Sequence, residues 1–259
     1  MFSLPERPRL RPLQLFADEA AGLIVIHDPQ DFIEDFGLDL RLAPLLLACD
    51  GQNTLDDLPG ALAQQFRQPW SPEEVTAIVA QLDEWLLLDS PRFAALAARR
   101  IAEFRSAPIR PAACAGSSYP AEPDALRRRL DEILGQSKTP AIAAECIAEL
   151  VGVVAPHIDL RVGERAYAPA YRLIERFAAS LPSREPVTFV VLGTSHYGGD
   201  GLFIASRKAY ATPCGALACD LDFLDRLEAR LGYSISADDR AHRQEHSIEF
   251  QAVFLRHIF

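Results

Sequence analysis

Two short apolar runs stand out in the second half of the chain, Leu150–Ala155 (LVGVVA) and Val187–Leu192 (VTFVVL), the second broken only by Thr188. Runs of this length, too short to span a membrane, read as strands buried on both faces of a parallel sheet. Between them Tyr167, Tyr171, Ile174 and Phe177 recur at helical spacing, so the order strand, helix, strand predicts a right-handed parallel crossover. Gly201–Ser206 reads as a further short strand. Three other stretches have the 3.6-residue period: Leu126, Leu130, Ile133 and Leu134 behind Pro123; Leu224, Leu227 and Leu231 within 220–231; and the stretch from Ile248 to Phe259. The last is apolar on nearly every side and must be buried. The fold class expected is α/β with a mostly parallel sheet.

The first hundred residues follow a different pattern. Leu23–Ile26 reads as a strand closed by a His27-Asp28-Pro29 turn, with His27 a surface residue. Leu38–Ala48 reads as a helix ended by Cys49-Asp50-Gly51, with Gly51 a left-handed cap. Thr54 then caps a helix that turns Leu55, Leu58, Leu62 and Phe66 to one face. Ser71-Pro72 opens a third helix, striped by Val75, Ile78, Val79, Leu82, Trp85 and Leu86, and Leu86–Asp89 turns toward a strand. A further helix, Phe93 to Phe104, runs to the break at Ser106-Ala107-Pro108, which divides a small, mainly helical winged-helix-like domain at 1–105 from an α/β domain at 106–259.

Composition narrows the class. An apolar share of 49% with 24% charged residues is that of a globular protein, and no run reaches the 18 apolar residues a membrane helix needs. The prolines of the first twelve residues take the place of a signal-peptide core, so a cytoplasmic protein is expected. Five scattered cysteines (Cys49, Cys114, Cys146, Cys214 and Cys219), odd in number and without a CxxC, indicate reduced thiols. The net charge of −10 is concentrated early: residues 1–105 hold 9 Lys+Arg against 17 Asp+Glu, a net of −8. That balance argues against a nucleic-acid partner for the first domain.

The candidate chemistry sits where the two apolar runs end. The first delivers Pro156-His157, and the second, after Gly193, delivers Thr194, Ser195, His196 and Tyr197. Open α/β sheets place their ligand sites at such strand ends. Adjacent strands lie about 5 Å apart, close enough for two imidazoles to meet on one ion. Such a pair suits iron, copper, zinc or nickel and needs a third ligand. The Gly-rich stretch from Thr194 to Gly199 also reads as a phosphate nest, though it lacks the P-loop lysine and the GxGxxG spacing. His242-Arg243-Gln244-Glu245-His246 spells H-x-x-E-H, the inverted pattern of zinc peptidases, with Glu245 as base.

At these residues the chain also resembles known proteins. Ala115-Gly116-Ser117-Ser118-Tyr119, Ala155-Pro156-His157, Leu192-Gly193-Thr194-Ser195-His196, Thr212-Pro213 with Gly215, Asp220, and Glu245-His246-Ser247-Ile248-Glu249 occur in the order of the Memo family, also called AmmeMemoRadiSam system protein B. The resemblance spans residues 113–259. It implies a fold similar to the class III extradiol dioxygenases and a non-heme iron or copper redox protein with His157 and His196 as two metal ligands. It further implies an acid/base role near the pocket for His246 and Glu245, and a radical SAM protein of the same system as a partner. Two departures are evident: Asp159 replaces a common glycine, and the family's further Asp/His motif and cysteine third ligand are absent. The expectation is therefore a chain truncated at its C-terminus, with its third ligand missing. Residues 13–90 are similar to PqqD-like winged-helix peptide chaperones, which implies a peptide or protein partner. Competing expectations are a non-catalytic scaffold and the H-x-x-E-H zinc peptidase.

Overall fold

A computed structural model describes residues 2–67, 69–136, 146–147, 149–182, 186–198 and 201–259. The chain divides into two compact units, Met1–Glu103 and Phe104–Phe259. Each has its own core.

In the first unit β1 (Gln14–Asp18), β2 (Leu23–His27) and β3 (Phe36–Asp39) form an antiparallel sheet in that order. Alternation along β2 turns Ile24 and Ile26 into the core, where they meet Leu38 of β3 and the helices α1 (Ala43–Ala48), α2 (Leu58–Phe66) and α3 (Pro72–Glu84). The expected helix over Leu38–Ala48 starts late. Leu38 belongs to β3, Asp39 accepts the Arg41 amide at 2.9 Å to close a single turn, and the α-helix begins at Ala43, before Pro44. Thr54 caps a turn instead of α2 itself, accepting from the Asp57 amide at 3.2 Å. Ser71 forms a full capping box with Glu74, and Gly51 has φ 84°. The strand expected near Leu86–Asp89 is reduced to one bridge, Leu10 to Leu88. Asp28 is more than a turn residue: it meets Arg11 at 2.8 Å in a buried ion pair.

The helix α4 (Pro91–Ser106) leads into the second unit. There β4 (Ile109–Arg110) pairs parallel with β5 (Ala209–Thr212), which pairs antiparallel with β6 (Gly215–Leu217). The core is largely helical. α5 (Pro123–Gly135) buries Leu126, Leu130, Ile133 and Leu134, the stripe expected from its period. α6 (Leu160–Gly163) is one turn, α7 (Ala168–Ser180) buries Tyr171 and Ile174, and α8 (Leu221–Leu231) buries Leu224. At the centre is α9 (His246–Ile258), buried from Phe250 through Leu255. Among the described residues no helix is long and apolar enough to cross a membrane.

The α/β class holds, but the mostly parallel sheet does not: the sheets are small, and this one is mixed. Leu150–Ala155 and Val187–Leu192 run without helix or strand assignment and join no ladder among the described residues, as does the stretch at Gly201–Ser206. Val151, Val154 and Leu192 are each more than three-quarters exposed, while Ala155 and Val191 alone in these two runs pack on the core. An apolar run signals that a segment suits a buried strand. It does not supply the neighbouring strands, and the expected crossover has none here.

Candidate metal site

The two apolar runs nevertheless end together. The His157 and His196 rings lie 5.4 Å apart, and His246, first residue of α9, joins them at 5.6 and 4.6 Å. One ligand nitrogen from each ring can be chosen so that all three fall within 4.8 Å of one another. None of the described cysteines belongs to this cluster. Cys114 remains a thiol because burial, with Glu249 nearby, pushes it up to about 12.

Helix α9 organises all three positions. Glu245 is its N-cap, accepting the Ser247 amide at 2.9 Å. The same carboxylate accepts the His196 amide at 2.8 Å and faces the His196 Nδ1 at 3.0 Å. That contact fixes the tautomer with the proton on Nδ1 and leaves Nε2 as the free donor atom. Burial works to raise the Glu245 carboxyl, but hydrogen bonds from His196 and Ser247 outweigh it and hold the group below its usual range. His246 is held below 6.5, first by burial, with the His196 and His157 rings adding to it against the opposing pull of Glu245. It is a neutral imidazole at neutral pH.

Backbone anchors complete the arrangement. Ser247 Oγ donates to the Thr194 carbonyl at 2.8 Å, two residues before His196. Gln251 Nε2 donates to the Pro156 carbonyl at 2.9 Å, one residue before His157. Gly193 lets the second run approach: a Cβ there would come 2.4 Å from Ser247 Oγ and 2.7 Å from Ile248 Cγ1. On the far side of His157, Tyr167 donates to the Ile158 carbonyl at 2.6 Å, and Asp159 caps α6 while accepting from Ser118 at 2.8 Å.

The H-x-x-E-H reading fails on geometry. His242 lies in a separate 3-10 turn, and both of its ring nitrogens are engaged: Nδ1 with the Tyr210 hydroxyl at 2.5 Å and Nε2 with the Ile204 carbonyl at 2.9 Å. A zinc ligand needs one of them free. Burial depresses the His242 pKa from 6.5, so the unfolded chain binds the proton more readily. Stability from this group is complete above about pH 6.5 and falls as the pH drops below it, by at most about 1.4 kcal/mol per unit. Unfolding at pH 7.5 and 5.5 checks this: His242→Asn is expected to flatten the difference, and an unchanged slope would reject it.

The sequence nominated His157 and His196 as ligands and His246 as an acid/base group, and the structure brings the three rings together. Sequence reading missed Ser247 and Gln251. The available signal was the run of polar residues at 245, 247, 249 and 251 on a helix that had to be buried, since buried polar groups need partners.

Residues 110–259 match the family described as Memo-like protein. A MEMO1 family protein of Aquifex aeolicus is 29% identical over 255 residues, 98% of this chain and 63% of the relative. That alignment takes in the first unit as well as the second. A MEMO1 family protein of Methanopyrus kandleri is 32% identical over 151 residues, covering 57% of this chain and 51% of its own. One of Methanothermobacter thermautotrophicus is 30% identical over 154 residues, covering 58% and 52%. The chain thus spans between half and two thirds of the length of these relatives. With the match running over more than half of its residues, the chain belongs to the Memo-like protein family.

Proposed function

We propose that His157, His196 and His246 hold a redox-active divalent metal ion, iron or copper, and that the second unit is a dioxygenase-like redox module. The observation carrying this reading is the meeting of three imidazoles within 4.8 Å. The donor set fits: neutral imidazole nitrogens are suitable donors for iron and copper. In this reading His246 is the third donor alongside His157 and His196. Bound iron or copper would supply electron transfer or oxygen activation. The chain's own residues orient and protonate: Glu245 holds the His196 Nδ1 proton, and Ser247 and Gln251 hold the two loops in place.

The first unit reads as a docking module for a peptide or protein, as in the winged-helix likeness. Support comes from β1, an edge strand exposed along its whole length, and from the acidic balance of residues 1–105, which favours a basic segment.

The test is metal content. The protein reconstituted with Fe(II) or Cu(II) is expected to retain one ion per chain after desalting, and the His157→Ala, His196→Ala double variant to retain none. Equal metal in both proteins, or none in either, would overturn the metal site and leave a scaffold.

A further inference from the structure

We infer that Gln251 is the positioning residue for His157, acting through the Pro156 carbonyl. His157 stands at the end of an extended run that joins no ladder among the described residues, so neighbouring strands do not fix its place. Side chains reach the backbone on both sides of it: Tyr167 donates to the Ile158 carbonyl after it, and Gln251 of α9 to the Pro156 carbonyl before it. Gln251 Nε2 spends one proton on the Pro156 carbonyl and the other on the Ser247 carbonyl, each at 2.9 Å. Its Oε1 accepts from the Tyr171 hydroxyl of α7 at 2.6 Å.

The chemistry fixes which way this amide faces. Two carbonyl oxygens can only be met by the NH2 end, and the Tyr171 hydroxyl, kept protonated first by burial and then by Tyr167, supplies the proton for the oxygen end. Every strong donor and acceptor of the Gln251 amide but the second lone pair of Oε1 is thereby used. Gln251 is 8% exposed, so water does not readily replace these bonds. The same helix anchors the other loop through Ser247 and Thr194, and carries His246 itself. One rigid element thus sets the spacing among three rings that come from three separate stretches of chain. For its effect on metal affinity the inference rests on the proposed site; for its effect on the His157 ring it stands on the hydrogen bonds alone.

The test uses the full chain and two variants. Gln251→Met keeps side-chain length and apolar contact but removes the amide. Tyr171→Phe keeps the amide but frees it to rotate. In the metal-free protein, the His157 ring 1H–13C signal is expected to move in Gln251→Met, and by less in Tyr171→Phe, with the signals of His27 and His242 unchanged. Co(II) affinity is expected to fall about 10–100-fold in Gln251→Met, the range for groups that orient a ligand. A His157 signal at its wild-type position in both variants would overturn the inference, as would His27 and His242 moving along with it. If wild-type protein binds no Co(II), the affinity comparison falls away and the ring signals alone decide the role of Gln251. If Gln251→Met does not fold, Tyr171→Phe decides it.

Discussion

His246→Ala is expected to weaken Fe(II) or Cu(II) binding by more than about 100-fold with little change in stability. Groups that merely orient a metal ligand are worth about 10–100-fold, so loss of one of three donors exceeds that range. The ring is only half-buried, at the first position of α9, and touches His157, His196 and Phe250. Alanine there keeps the helix, whose N-cap is Glu245. The result separates two roles for the same residue. A ligand takes the affinity with it when removed, whereas the acid/base group implied by family resemblance leaves binding intact. Equilibrium titration of the variant, paired with thermal unfolding, distinguishes them.

The second large effect is on stability. Glu249, one turn into α9, is fully buried, and its two oxygens accept the Ala113 and Cys114 amides at 3.0 and 2.8 Å, the Tyr119 hydroxyl and the Arg110 guanidinium. Arg110, in β4, is equally buried and donates to the carbonyls of Pro111 at 2.7 Å, His242 at 2.9 Å and Glu245 at 2.8 Å. This pair ties the segment after β4 to the start of the helix that carries the metal candidates. Glu249→Ala strands a buried guanidinium and two amides, and breaking a buried pair from one side costs about 3–5 kcal/mol. Urea unfolding monitored on the second unit is expected to register that loss. A change below about 1 kcal/mol would mean that the pair contributes little.

The residues that were legible in the sequence were those whose signal is local. The helix opened by Ser71-Pro72 and the stripe of α5 follow from spacing alone, and both form as read. His157 and His196 also meet, though not across the adjacent parallel strands that were expected to bring them together. What failed was whatever depends on a neighbour far along the chain. Val154 and Leu192 have the character of buried strand residues and stand exposed, because burial belongs to the sheet and not to the strand. His246 lies 50 residues beyond His196; its motif resemblance put it near the pocket, but spacing gave no sign that α9 turns its ring onto the other two. Gln251 looks like an ordinary helix residue until the helix is seen to be buried, when its amide has to find partners.

The central claim is that three imidazoles, one from α9 and two from the ends of extended runs, bind one ion. X-ray absorption on protein loaded with one equivalent of Cu(II) counts the coordinated imidazoles directly. Three in the wild type and two in His246→Ala is the result expected; two in both, or a wild type that takes up no stoichiometric copper or iron, would contradict it.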